Sequence, residues 1–289
     1  MKIAYIGLGI MGKPAALNLL RAGYTVGVWA RRVEATLPLV EAGATAYDTP
    51  AALAAAAEVV ITNVADTADV EAVLLAENGV ASGMARGGTV IDMSTIAPTK
   101  SREIAATLAQ QGIDFLDAPV SGGEKGAIAG TLTFMVGGEQ QVFARMQPIF
   151  AAMGETITYI GASGAGQVAK ACNQIIIGAT ISGVAEAFRL AAANGVDLQQ
   201  VRQALSGGFA ASRVLEIHGQ RMISGDYTPG FKAVLHKKDI GIALAEAAAA
   251  GMTLPSADIF MQRLQQLIDN EGGELDSAAV NKIVAQESL

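Results

Sequence analysis

The chain opens with Ile3-Ala4-Tyr5-Ile6, which runs into Gly7-Leu8-Gly9-Ile10-Met11-Gly12 and then into Lys13-Pro14-Ala15-Ala16-Leu17-Asn18-Leu19-Leu20. Apolar, β-prone residues lead into a G-x-G-x-x-G turn, and the turn leads into a segment with Ala16, Leu17 and Leu20 on one helical face. A strand, a tight glycine turn and a helix in that order make a phosphate-binding corner. Gly7 allows the sharp turn, Gly9 omits the side chain that would block a pyrophosphate, and Gly12 lets the helix lie against the strand. The helix start then offers unpaired N–H groups and partial positive charge to phosphates. A plain glycine turn is the alternative, but here the required strand precedes the pattern and the required helix follows it. The stretch from Gly7 through Leu8, Gly9, Ile10 and Met11 to Gly12 is therefore expected to bind a dinucleotide.

Composition narrows the partners. A net charge of −7 argues against nucleic acid. The one cysteine, Cys172, excludes an internal disulfide and a Cys-based metal cluster, and two histidines, His218 and His236, make a His-based site poor in ligands, so no metal is expected. A length of 289 residues suits two domains. The stretch from Ile175 to Ala193 is membrane-like but is interrupted by Glu186 and Arg189, so it reads as a buried helix rather than a span. A first strand starting at residue 2 leaves no room for a signal peptide. The expectation is a soluble, cytoplasmic protein with no membrane partner.

Strands and helices alternate up to residue 161. Strands are expected near 24–29, 58–64, 88–93, 113–118, 132–136 and 156–160, with helices near 35–42, 50–57, 68–75, 98–108 and 141–153. This alternation predicts an α/β Rossmann-type domain with a mostly parallel, doubly wound sheet over residues 1–161, whose ligands sit at the carboxyl ends of the strands. At the end of the second strand an acid would bind the ribose of NAD. This chain has Ala30-Arg31-Arg32 instead, and guanidinium groups suit the 2′-phosphate of NADP. Two solvated charges are the other reading of Arg31 and Arg32, and Glu34 nearby keeps NAD open. Asn63, Val64 and Ala65 lie at the next strand end. Thr95 lies at another, either bonding the cofactor or capping the following helix. Ser121-Gly122-Gly123 is either an ordinary loop or a turn whose freed N–H groups hold a substrate carboxylate.

From residue 162 the pattern is helical: a long helix over 167–194, then segments near 198–205, 212–222, 235–250, 257–270 and 277–286. An all-α domain over 162–289 follows. Lys170, Asn173 and Gln174 share one face of the long helix among apolar neighbours. Such a trio is either a domain-crossing hydrogen-bond cluster or a catalytic lysine with an asparagine holding substrate. Cys172 points elsewhere and reads as packing. Lys238 and Asp239 either reach the cofactor or belong to a solvated charge run.

Four blocks in order resemble the β-hydroxyacid dehydrogenases along essentially the whole chain: 6–14 (IGLGIMGKP), 117–123 (DAPVSGG), 164–174 (GAGQVAKACNQ) and Lys238-Asp239. The resemblance implies that Lys170 is the catalytic lysine, that Ser121, Gly122 and Gly123 bind the substrate carboxylate, that Asn173 orients the substrate, and that Thr95 and Lys238 contact the cofactor. It also implies a homodimer or homotetramer acting on a small carboxylate-bearing aldehyde or hydroxy acid, with NADP preferred and NAD possible. Ala15, where methionine is common, and Ala30, where many NADP-using members have asparagine, depart from the pattern. Residues 205–212 and 235–239 look more like the 2-hydroxy-3-oxopropionate (tartronate semialdehyde) reductase branch than the 3-hydroxyisobutyrate branch. A glyoxylate or succinic semialdehyde reductase and a catalytically silent NADP-binding protein are the alternatives.

Overall fold

The computed structural model describes residues 1–286. The chain divides into two compact units, Met1–Lys170 and a second that begins at Ala171.

The first unit is built on one sheet of nine strands. These are β1 (Lys2–Ile6), β2 (Thr25–Trp29), β3 (Thr45–Ala46), β4 (Val59–Thr62), β5 (Thr89–Asp92), β6 (Asp114–Asp117), β7 (Val120–Ser121), β8 (Leu132–Gly138) and β9 (Gly154–Gly161). Their order is β3-β2-β1-β4-β5-β6-β8-β7, with β9 beside β8. The first six are parallel, whereas β8 runs antiparallel to β6 and β7. Every residue of β4 and β5 is buried, as a parallel sheet covered on both faces requires. Alternate side chains enter separate cores: Ile3, Tyr5, Ile61 and Ile91 pack with Leu19, Phe134 and Phe150, while Ala4, Ile6, Val60 and Val90 pack with Leu53, Leu74 and Leu108. Strand order reverses between β1 and β4, and in open α/β sheets that reversal opens a ligand crevice at the strand ends.

Several elements differ from expectation. The helix expected over 35–42 is a 3-10 turn, Val33–Thr36, followed by a short helix, Leu37–Glu41, with Pro38 in its first turn. The short strands β3 and β7 and the helices Val80–Gly83 and Gly123–Ala129 have too few residues for a periodic pattern to show. The first compact unit runs to Lys170, and within it Asp117 binds the backbone of Gly164 and Gln167.

The long helix, Ala165–Ala193, continues into the second unit. It is long and apolar enough to cross a membrane by length and composition, and 33% of its most apolar window is buried. Ile181, Val184, Ala185 and Phe188, at i, i+3, i+4 and i+7, form the buried face. They pack with Leu215, Phe260, Leu264, Leu267 and Val280 from the helices Arg213–Ser224, Pro255–Asp269 and Val280–Val284. Leu198–Ser206 and Ala233–Ala249 complete the unit. The segment read as one helix over 277–286 is a 3-10 turn, Ser277–Ala279, and then Val280–Val284.

Asp276 ties these helices together. It is 1% exposed and takes Arg221 Nη1 at 2.8 Å and His218 Nδ1 at 3.2 Å. It also accepts from the backbone N–H groups of Gly230, Phe231 and Ala278. Burial alone would raise its pKa, but the His218 contact and the backbone donors outweigh it and bring the carboxyl down to about 2. The unfolded chain then binds more protons between about pH 4 and pH 2, so the stability Asp276 contributes is complete above about pH 4 and is lost as pH falls through 2. Asp276→Ala is expected to cost about 3 kcal/mol at neutral pH, the order found when a buried ion pair is broken. Urea unfolding at pH 7 and pH 3 checks both points: the gap between variant and wild type narrows in acid.

Candidate active site

The glycine corner follows β1. Gly7 has φ 99°, which side chains avoid. A methyl on Gly7 would press into the Asn63 carbonyl, and one on Gly12 would press into the Gly7 carbonyl. Gly9 is different, since a methyl there would meet no protein atom within 4 Å. Leu8 and Met11 pack partly against the core, while Ile10 is exposed. The corner is thus closed behind and open in front, a cradle that fits a dinucleotide phosphate.

The neighbouring strand ends meet this corner. Asn63 N donates to Ile6 O at 2.8 Å, and Val64 N donates to Ser94 Oγ at 2.9 Å; Ala65 beyond them is exposed. After β2, Arg31 and Arg32 are both exposed. Arg31 is held from the helix Thr67–Leu75, with its Nη1 2.9 Å from Asp69 Oδ1. Ala97 holds the N-cap position of Pro98–Gln110, and Thr95 lies two residues before it.

Behind these ends lies a buried polar network. Asp92 accepts from Thr62 Oγ1 at 2.8 Å and from Ser94 N at 3.1 Å. Asp117, its register partner on β6, accepts from Gly164 N at 2.7 Å and from Gln167 N at 3.0 Å. Burial pushes Asp92 and Asp117 each up to about 6, against these donors. A carboxyl pKa raised on folding means that the folded state binds more protons between about pH 4 and 6, so both groups take stability away as pH rises through that window. The Gln167 side chain donates to Ser94 O at 2.8 Å and accepts from Ile96 N at 3.1 Å. One turn on, Lys170 Nζ donates to Val120 O at 2.9 Å and is 8% exposed. Val120 precedes Ser121, Gly122 and Gly123. The two glycines have φ 125° and 61°, and both are exposed. Lys170 and the glycine loop are therefore adjacent within the first unit.

The remaining candidates lie in the second unit. Asn173 Nδ2 donates to Gln174 Oε1 at 2.9 Å, and Gln174 Nε2 donates to Asp239 Oδ2 at 2.8 Å. Asp239 Oδ1 lies 3.0 Å from Lys238 Nζ. Asn173 and Lys238 are thus ends of one chain of side chains. Cys172 is a correction, since it is exposed rather than packed. Sequence reasoning missed Asp92, Asp117 and Gln167 as members of the site, although a polar residue closing an apolar strand was a usable signal for the two acids.

Residues 2–161 match the NAD-binding domain of 6-phosphogluconate dehydrogenase, and residues 164–284 match the NAD-binding domain of NADP-dependent 3-hydroxyisobutyrate dehydrogenase. The chain is 44% identical to 2-hydroxy-3-oxopropionate reductase of Escherichia coli K12, over 97% of this chain and 96% of the relative. It is 40% identical to 3-hydroxyisobutyrate dehydrogenase of Pseudomonas aeruginosa, over 97% of each. The solved structure of Mycobacterium tuberculosis 3-hydroxyisobutyrate dehydrogenase with L-serine matches with TM-score 0.90, 32% identity and 98% of each chain covered. The family match and these relatives make the chain an NAD(P)-dependent oxidoreductase acting on CH–OH groups. Within that class the chain belongs to the β-hydroxyacid dehydrogenase family.

The glycines separate binding from folding. Gly9→Ala is expected to leave the melting temperature within about 2 °C while weakening nicotinamide cofactor binding at least tenfold, about 1.4 kcal/mol. Gly12→Ala is expected to lower both, since its methyl meets backbone. Thermal unfolding and cofactor fluorescence titration on the same samples check the contrast.

Proposed function

We propose that the protein is an NADPH-dependent reductase of small 3-oxo acids, with 2-hydroxy-3-oxopropionate going to glycerate as the best named case. The observation that carries this reading is the Lys170 ammonium bonded to Val120 O, one residue ahead of Ser121. In this reading Ser121, Gly122 and Gly123 hold the substrate carboxylate, and Asn173 orients the substrate. In the same reading the amine serves a carbonyl oxygen on that small molecule. Lysine is cationic at neutral pH. Lys170 Nζ gives a hydrogen bond and then its proton to the carbonyl oxygen as negative charge develops there. In the oxidative direction the neutral amine takes that proton from the hydroxyl. When bound, a reduced nicotinamide would supply the hydride that the carbonyl carbon accepts.

The cofactor is assigned to residues 7–12 (Gly7 through Gly12), to Asn63, Val64 and Ala65, to Thr95 and to Lys238, with residues 1–161 as the nucleotide-binding domain and 162–289 as the helical one. NADP is preferred because Arg31 and Arg32 stand where an acid would otherwise read the ribose. A 2′-phosphate must compete with Asp69 for the Arg31 guanidinium. The substrate choice is supported by the relative at 44% identity. The relative at 40% identity supports 3-hydroxyisobutyrate dehydrogenase as the second reading. A cytoplasmic homodimer or homotetramer completes the proposal. Ile176 and Leu190, exposed on the apolar long helix, are its natural contact.

Lys170→Ala is expected to lower kcat by about 10³ and leave cofactor affinity within about threefold. Steady-state kinetics with 2-hydroxy-3-oxopropionate, glyoxylate, succinic semialdehyde and 3-hydroxyisobutyrate, each with both nicotinamide cofactors, ranks the substrates. Near-normal turnover by folded Lys170→Ala removes the lysine from the mechanism. Tight NADPH binding by the wild type with no turnover on any substrate points instead to a silent binder.

A further inference from the structure

Gln167 sits one turn before Lys170 and is 1% exposed. Its side chain bonds only to backbone, and it does so on both sides of Thr95: Nε2 donates to Ser94 O and Oε1 accepts from Ile96 N. Its own N–H donates to Asp117 Oδ2. A primary amide is the side-chain group that offers a donor and an acceptor on one plane, as a peptide unit does. The partners are buried as well, with Ser94 1% and Ile96 0% exposed. Losing the amide would take a hydrogen-bond partner from two enclosed backbone groups. Residues three apart on a helix share a face, so the loop holding Thr95 and the carbonyl holding Lys170 are gripped by successive turns of one rigid element.

We propose that Gln167 is a positioning residue that sets the Thr95 segment in register with Lys170, so that the cofactor-binding edge and the proton-carrying amine keep a fixed separation. This rests on Lys170 carrying the proton, as proposed above. Both polar atoms of the Gln167 side chain are engaged by the backbone of residues 94 and 96, and Gln167 acts through that backbone rather than on the reacting atoms. A merely structural brace would change how readily the protein melts but not what the folded enzyme does.

Two variants of the full chain test the proposal. Gln167→Met keeps the length and removes both bonds. It is expected to lower kcat about 30-fold, since an ångström of misplacement costs up to about 10². NADPH Kd is expected to rise about fivefold, with substrate KM within about twofold. Gln167→Glu is an isostere that regains the donor only when protonated; the other ionisable groups in the network are Asp92, Asp117 and Lys170. The ratio of its kcat to the wild-type kcat is expected to climb as pH falls from 8 to 6. Wild-type kcat and NADPH Kd in folded Gln167→Met overturn the proposal, whatever its melting temperature. If that variant does not fold, a flat ratio for Gln167→Glu overturns it, and failure of both to fold makes Gln167 a structural residue and also overturns it. If wild type turns over no semialdehyde, the function reading fails on its own. NADPH Kd, which needs no turnover, still decides Gln167: an unchanged value rejects the role.

Discussion

One buried carboxylate, Asp117, determines where the long helix begins. The first N–H groups of any helix lack partners within it, and here they meet a negative group at the end of β6. That is the charge a helix start favours. The fit depends on two glycines. A methyl on Gly137 would lie 2.6 Å from Asp117 Oδ1, and one on Gly166 would lie 2.8 Å from Oδ2. The carboxylate therefore fills a space that any side chain at either position would take. Its raised pKa of about 6 is the cost of that enclosure. From this anchor the helix carries Gln167 to the end of β5 and Lys170 to the carbonyl before the Ser121 loop.

Strand order explains why these pieces converge. Reversal of winding at β1 and β4 puts the glycine corner beside Asn63, and β5 and β6 follow on the same side in parallel register. Their carboxyl ends all face one edge, so Gly7, Asn63, Ser94 and Asp117 come together although they are far apart in the chain. A parallel sheet makes this gathering automatic. Turning β8 antiparallel ends the series.

Much of this was legible in the residues. The corner was plain because its pattern is local: strand, glycines and helix fall within twenty residues. The Lys170 helix was plain because its polar trio interrupts an apolar run. The network behind the site was hidden for the opposite reason. Gln167 looked like an ordinary start to a long helix, since its partners are backbone atoms of Ser94 and Ile96, and backbone leaves no mark on side-chain type. Asp117 could be read as the end of a strand but not as the cap of a helix some fifty residues later. Arg31 was read as a phosphate reader, while its pairing with Asp69 depends on how a distant helix lies. Cys172, on a different face from the polar trio, reads as packing, but the structure leaves it exposed. Helix Gly123–Ala129 escaped notice because its two leading glycines, with positive φ, read as loop.

A side chain at Gly7 would meet the Asn63 carbonyl and one at Gly12 the Gly7 carbonyl, so the turn packs closely against its own backbone and the end of β4. Its conformational freedom is surrendered while the domain folds, so association with a nucleotide does not have to freeze it again. Such a corner is preorganised, and capture of a phosphate there costs less ordering entropy than at a flexible loop.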